Sequence, residues 1–258
     1  MQPVRVSCVS YINSAPFVYG LRQLELSGDI ILSLDNPSDC AAKLRDGLVD
    51  IGLIPVAAIA SVTNANQITE WCIGSNGCVK SVTLLSDVPF DEIKYIYPDF
   101  QSVTSNLLAR ILVSKFWKIN PVFLSPQLGF EQHIIGETAG VVIGDRSLQL
   151  QHKFKFVYDL SEEWKKFTGL PFVFARWVSN KSLPAVFLTK FNDALSFGID
   201  HMGDVIYKLK TEPGYQKGTE NYLLNSLSYN FDSLKKQGMD LYLDYAASFS
   251  NSEIRELQ

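Results

Sequence analysis

Val4–Gly20 reads VRVSCVSYINSAPFVYG, and the order of residue types in it decides the fold class. Val4, Val6 and Val9 supply the β-branched residues of a short strand. The polar run Ser10-Tyr11-Ile12-Asn13-Ser14 then leads into Ala15-Pro16. Ser14 is a candidate N-cap, and Pro16 sits in the first helical turn. Strand, polar turn and helix in that order open an α/β sheet. In such sheets the carboxyl ends of strands face the ligand crevice, and helix-start amides attract anions. Asn13 therefore falls where a small anionic molecule can be held. Simple capping of the helix by Ser10–Ser14 is the alternative that the same residues allow.

The pattern repeats outward from this stretch. Helix is expected over Ser14–Leu26 and strand over Ile30–Leu34. Asn36-Pro37-Ser38-Asp39 opens a helix over Cys40–Asp46, Gly47 ends it, and Val49–Pro55 (VDIGLIP) reads as a buried strand. From Cys78 onward, Val79–Ser86 is a strand, Asp87–Glu92 a turn with Pro89, and Ile93–Tyr97 another strand. Leu107–Trp117 is helical behind Gln101–Asn106. Val122–Leu124 and Val141–Ile143 are strands, the second delivering Gly144-Asp145-Arg146. A short helix around Trp164 spans Tyr158–Phe167, and the apolar Phe172–Val178 follows. Helices are expected over Pro184–Lys210, Glu220–Leu227 and Asp232–Phe249. This layout predicts two α/β lobes with a ligand cleft between them. Residues 1–86 and 176–258 would form a discontinuous first lobe, with the C-terminal helices packed on it, and residues 87–175 a second.

Composition narrows the function classes. The 258 residues are 47% hydrophobic and 19% charged, with a net charge of −4, the profile of a globular chain with a real core. Lysines and arginines are scattered, so nucleic acid and acidic membrane are excluded as main partners. The longest apolar stretch, Val49–Ala60, is broken by Asp50, Gly52 and Pro55, so no spanning helix is expected. The N-terminus shows no basic region followed by an apolar core and a cleavage site, and a cytoplasmic location is expected. The four cysteines, Cys8, Cys40, Cys72 and Cys78, lack CxxC spacing and read as buried or idle thiols. The three histidines, His133, His152 and His201, lie beside no nucleophile or metal partner, so neither a triad nor a metal site is expected. GxGxxG and GxxxxGK[ST] are both missing, which argues against a nucleotide cofactor.

Several stretches together resemble the chorismate dehydratase family, within the type II periplasmic-binding-protein-like fold. They are Ser10–Pro16 (SYINSAP), Pro37–Leu44 with Val49–Pro55, Ser75–Ser86 (SNGCVKSVTLLS), Ser102–Leu112, Gly140–Leu148 (GVVIGDRSL) and Asp159–Trp177 (DLSEEWKKFTGLPFVFARW). Cys78 departs from the pattern, standing where the family has proline in a Gly-Pro-Val turn. The resemblance implies a lyase of menaquinone biosynthesis by the futalosine route. Chorismate would lose its C4 hydroxyl with the C3 proton, giving 3-[(1-carboxyvinyl)oxy]benzoate. The ring becomes aromatic, so the reaction calls for no redox or metal cofactor.

In that setting Asn13 and Ser81 are the expected catalytic residues, Asn13 at the departing hydroxyl and Ser81 at the polar edge of the substrate. Ser10, Ser14, Ser102, Thr104, Ser105 and Asp145 are expected to bind substrate. Hydroxyls and amides at a helix start hold a carboxylate without arginine. Asp145 has two further readings, as the general base at C3 or as a structural acid pairing with Arg146 or capping a helix, and the substrate's own enolpyruvyl carboxylate is the other candidate base. Trp164, Phe172 and Phe174 are expected in the core. The partner is the small molecule alone, with room left for a homodimer. Three other functions fit the same layout: 1,4-dihydroxy-6-naphthoate synthase of the same fold, a non-catalytic small-anion-binding protein, and the sensing half of a regulator. The first is disfavoured by Gly144-Asp145, where that enzyme carries histidine, and the last by the want of a helix-turn-helix.

Overall fold

The computed structural model describes residues 2–212 and 215–249. In chain order, β1 (Val4–Val9), α1 (Ala15–Leu26), β2 (Ile30–Asp35), α2 (Pro37–Arg45), β3 (Ile51–Pro55) and β4 (Asn66–Ser75) come first. Next are β5 (Val82–Ser86), β6 (Tyr95–Tyr97), α3 (Val103–Ile111), β7 (Val122–Phe123), β8 (Thr138–Ile143), α4 (Gly144–Leu150), β9 (Phe156–Asp159) and α5 (Leu160–Thr168). Last are β10 (Phe172–Ser179), α6 (Ala185–Asp200), α7 (Met202–Thr211), α8 (Thr219–Asn221), β11 (Ser228–Asn230) and α9 (Ser233–Ala247). The chain divides into two compact units. The first takes the chain up to Gly74 and Ala175–Asp232, and the second takes Ser75–Phe174 and the segment that begins at Ser233.

The first unit is built on a six-stranded sheet in the order β11-β4-β10-β3-β1-β2. β1 lies between β2 and β3 and runs parallel to both, while β10 runs antiparallel to β3. Val6–Val9 are all buried, as a strand covered on both faces requires. α1 lies close against α6, backbone to backbone at two glycines. A Cβ on Gly20 would stand 1.7 Å from the carbonyl oxygen of Ala194, and one on Gly198 would stand 1.8 Å from that of Pro16. Only glycine fits at either place. Around this crossing Phe17, Trp177 and Phe191 are fully buried and meet edge to face, at 5.8 Å for Phe17–Trp177 and 5.2 Å for Trp177–Phe191.

At the opposite end of β1, Asp50 ties the sheet together. Its carboxylate accepts from the Arg5 amide at 2.9 Å, the Arg5 guanidinium at 2.7 Å and Lys181 at 2.9 Å. Burial pushes this carboxyl up, but the bonds from Arg5 and Lys181 outweigh it and hold it well below the usual carboxylate range.

The second unit has a five-stranded sheet in the order β7-β6-β8-β5-β9. β6 runs parallel to β7 and β8, and β5 antiparallel to β8 and β9. The carboxyl ends of β6, β8 and β9 therefore lie at the same end of the sheet as the start of β5. Asp159 caps α5, accepting from the amides of Ser161 at 3.1 Å and Glu162 at 3.0 Å. Trp164 and Phe172 are buried and Phe174 half-buried, packed with the fully buried Tyr242 of α9. That helix belongs here because Tyr242 donates to the Thr104 carbonyl at 3.1 Å and Gly238 lies against the Pro171 carbonyl.

Several expectations need correcting. The C-terminal helix α9 joins the second unit, not the first, and so does β5, whose partners are β8 and β9. Residues 250–258 of the expected first lobe lie outside the described residues. β4 and β11 were not expected as strands; they pair with each other across a bulge between Ser228 and Asn230. β9 occupies the start of the expected helix at Tyr158, because Asp159 is the residue that ends the strand and caps α5. The long expected helix is split between α6 and α7 at His201, whose backbone leaves the helical region. All four cysteines are free, Cys8, Cys40 and Cys72 buried and Cys78 exposed. Among the described residues no helix is long and apolar enough to cross a membrane.

Gly20→Ala or Gly198→Ala is expected to destabilise the fold by about 3 kcal/mol or more, because helix backbone cannot give way to a Cβ. Gly203→Ala, where a Cβ meets nothing within 4 Å, is the matched control. Urea denaturation of the three variants reads the difference. For Asp50 the depressed folded-state pKa means stability that is present at neutral pH and lost as pH falls below about 4. The stability gap between the wild type and Asp50→Asn is therefore expected to narrow between pH 5 and pH 2, as measured by thermal melts.

Candidate active site

In the first unit the expected residues follow β1 on the turn Tyr11–Ser14. Ser10 is exposed, and its amide donates to the Asp35 carbonyl at 2.9 Å. It helps line a cavity of about 280 Å³ with Tyr11, Tyr19, Arg22 and Lys208. Asn13 stands on the 3-10 turn Ile12–Ser14 and is held by its backbone. The Tyr229 hydroxyl, kept protonated by burial, donates to the Asn13 carbonyl at 3.0 Å. Its side-chain Oδ1 is buried, and no described residue hydrogen-bonds to it. A buried amide oxygen without a donor is costly for folding, and such groups cluster where a ligand supplies the partner.

Ser14 behaves differently from the expectation. Its φ of −95° and ψ of −4° are not those of an N-cap, and its side chain caps no amide. The hydroxyl turns back to the carbonyls of Val9 and, at 2.8 Å, Tyr11. Those bonds close the turn that presents Asn13. Asp35, at the end of β2, is likewise occupied: burial pushes its carboxyl up, but Lys43, Ser33 and Ser7 bond to it and hold it below the usual range.

In the second unit the expected residues meet at one end of the sheet. Ser81, just before β5, is buried, and its carbonyl accepts from the Gly144 amide at 2.7 Å. That bond sets Ser81 beside the start of α4, where Asp145 is half-buried in the first turn. The Ile143 amide donates to Asp99 at 3.2 Å, and Asp99 accepts from the Gln101 amide at 2.8 Å, one residue before Ser102. Ser102 is the N-cap of α3, accepting from the Ser105 amide at 3.2 Å and donating to the Ser105 hydroxyl at 3.0 Å. Thr104 and Ser105 are both buried. The start of α3 thus combines hydroxyls with the positive end of a helix.

Two acids that hold these pieces together were not singled out from the sequence. Asp99 is fully buried and bonds Arg146 at 2.6 Å, so Arg146 is held by Asp99 and Glu131. Asp159 accepts from the Val79 amide at 2.9 Å as well as capping α5, fixing the approach to Ser81. The sequence did hold a signal for it, since Asp159-Leu160-Ser161-Glu162 has the spacing of a helix-start box. Of the histidines, His201 stacks on Phe197 at 3.9 Å, and His133, on the same turn as Glu131, has its ring 6.2 Å from that of Tyr97. Among the described residues no three His, Cys, Asp or Glu side chains are placed to hold a metal ion.

Residues 4–248 match a family described as menaquinone biosynthesis. The chain belongs to that family. A chorismate dehydratase from Campylobacter jejuni subsp. jejuni serotype O:23/36 (strain 81-176) is 27% identical over 187 residues, covering 71% of each chain. Among solved structures, a protein from Archaeoglobus fulgidus superposes with a TM-score of 0.73 at 15% identity, covering 96% of this chain and 97% of its own. A Candida albicans protein described as having the generic periplasmic binding protein structural fold gives 0.64 at 14% identity, covering 100% and 94%. The alkanesulfonate-binding protein SsuA from Xanthomonas axonopodis pv. citri, bound to MOPS, also gives 0.64, at 16% identity and covering 100% and 95%. At these identities the structures establish a periplasmic-binding-protein-like fold and leave activity to other evidence.

Because the Ser14 hydroxyl serves two backbone carbonyls in the turn, Ser14→Ala is expected to cost about 1–2 kcal/mol of stability. Equilibrium denaturation measures the loss; a variant as stable as the wild type would show that these bonds do not hold the turn.

Proposed function

We propose that the protein is a chorismate dehydratase, a hydro-lyase that converts chorismate to 3-[(1-carboxyvinyl)oxy]benzoate and water. The observation that carries this reading is the chorismate dehydratase relative within a family of menaquinone biosynthesis. A cytoplasmic location, where chorismate and the biosynthetic enzymes would be, is part of the proposal. Removing the C3 proton leaves charge that delocalises through the diene into the ring carboxylate. Departure of the C4 hydroxyl, which takes up the proton removed from C3 and leaves as water, then completes an aromatic ring. The atoms and electrons balance with water as the only co-product, so the step calls for no redox partner.

In this reading Asn13 orients the departing hydroxyl, with its buried Oδ1 accepting the hydroxyl's hydrogen bond. Ser81 bonds the polar edge of the ring. Ser102, Thr104 and Ser105 hold a substrate carboxylate at the start of α3, where hydroxyl and amide donors act together. Ser10 adds a hydroxyl from the end of β1. We assign Asp145, in the first turn of α4, to substrate binding and the base to the enolpyruvyl carboxylate of chorismate itself. Holding that carboxylate over C3 is a matter of conformation, which a binding site supplies by excluding the other rotamers.

The test is incubation of the purified protein with chorismate, with products separated by liquid chromatography and weighed by mass spectrometry against an enzyme-free control. The expected product is lighter than chorismate by one water and retains the enolpyruvyl ether. Binding without turnover would point instead to a small-anion-binding protein, and neither binding nor turnover would remove chorismate altogether. His133→Gln, His152→Gln and His201→Gln are each expected to keep most of the activity. A loss of roughly a hundredfold in any of them, the scale of a missing general acid or base, would overturn the assignment of the base.

A further inference from the structure

Asp99 carries no expected role in the chemistry, yet it is among the most heavily bonded side chains of the second unit. It has no exposed side-chain surface. One carboxylate oxygen accepts from Arg146 at 2.6 Å and from the Ile143 amide at 3.2 Å, and the other from the Gln101 amide at 2.8 Å. Its backbone is locked as firmly: the Asp99 amide donates to Asn106 Oδ1 at 2.8 Å, and Asn106 Nδ2 returns a bond to the Asp99 carbonyl at 2.7 Å. Asn106 is itself fully buried in the second turn of α3. Arg146 in turn donates to Glu131 and, at 3.0 Å, to Gln101 Oε1, and its guanidinium lies 4.7 Å from the Phe100 ring. The bonds therefore join the end of β8, the first turns of α3 and α4, and the loop 98–102 through one carboxylate.

We propose that Asp99 is a positioning residue: with Arg146 and Asn106 it fixes the first turn of α3, so that Ser102, Thr104 and Ser105 present their donors as a preformed carboxylate site. The inference rests on the dehydratase reading for the identity of the carboxylate, and on the geometry alone for the clamp. Buried donors held in place before the ligand arrives strengthen binding by removing the cost of ordering them.

Burial pushes the Asp99 carboxyl up to about 6, against the Arg146 charge and the Gln101 and Ile143 amides that favour its ionised form. The charged groups facing it are Arg146 from α4 and, through Arg146, Glu131 from the turn Phe130–His133; Asp145 and His133 are the titratable neighbours on those same elements. Protonation of Asp99 removes the partner of Arg146 and loosens the clamp. Because its folded value lies above the ordinary one, Asp99 itself makes the fold more stable as pH falls from 6 to 4. An acid loss of substrate affinity in that window therefore is not unfolding caused by this group.

The experiment compares wild type, Asp99→Asn, the partly exposed Arg146→Gln and His133→Gln. Both clamp variants are expected to raise the KM for chorismate at least about tenfold at pH 7.5, with kcat within about threefold, the signature of lost ground-state binding. The wild type and His133→Gln are expected to show kcat/KM falling below about pH 6, and Asp99→Asn to lack that limb. Amide hydrogen exchange supplies a readout independent of chorismate: residues 102–106 are expected to exchange at least about tenfold faster in both clamp variants, with β5 and residues 138–142 of β8 unchanged. Unchanged exchange at 102–106, or a fall in kcat with KM unaltered, would overturn the proposal. Should Asp99→Asn fail to fold, Arg146→Gln decides. Should the wild type not turn over chorismate, the dehydratase reading falls and the exchange result alone judges the clamp.

Discussion

The close approach of two glycines is the constraint on which the first unit depends. α1 can lie on α6 only while Gly20 and Gly198 bring no Cβ to the interface. That crossing sets where α1 begins, and so where the turn after β1 must end. The turn is then closed from within by the Ser14 hydroxyl and from outside by Tyr229 on the Asn13 carbonyl. These interactions fix the turn and the carbonyl of Asn13, and among the described residues none donates to its side-chain oxygen. A fold that fixes a residue by its main chain and leaves the side chain unmatched has the form expected of a binding group.

The second unit reaches a comparable result with carboxylates in place of glycines. Asp159 caps α5 and holds the chain before Ser81, while Asp99 joins the starts of α3 and α4. Both acids stand at the end of the sheet where β6, β8 and β9 finish and β5 begins. Hydroxyl and amide groups are thereby presented on rigid supports, and the positive charge nearest Asp99, that of Arg146, is already matched. In the proposed carboxylate site the helix end and hydroxyls at the start of α3 would be the groups that hold the anion.

The fold class and much of the α/β order were legible because parallel strands buried on both faces leave unbroken apolar runs such as Val49–Pro55. The turn after β1 was legible for the same reason: a polar run between two apolar elements has few places to go. β4 was missed although it has ten residues, since its half-buried start mixes Gln67, Thr69 and Glu70 with apolar neighbours and gives no clear run. The unit that α9 joins is not legible in the sequence, because its contacts, Tyr242 on Thr104 and Gly238 on Pro171, join residues distant along the chain. Ser14 was read as a cap because serine before Ala-Pro has that signature. Its hydroxyl instead met carbonyls that the tight turn brought closer than any helix amide. Asp99 carried no signal at all, since the bonds that define it come from Ile143 and Arg146, more than forty positions away.

The account stands or falls on Asn13 as a group placed for chemistry and not for folding. The most direct test measures chorismate turnover and the urea denaturation midpoint on the same preparations of wild type and Asn13→Ala. The account predicts a kcat lowered by roughly a hundredfold or more and a midpoint equal to or slightly above that of the wild type, because an unmatched buried oxygen has been removed. A lowered midpoint with turnover retained would contradict it, and would make Asn13 a structural residue of the turn.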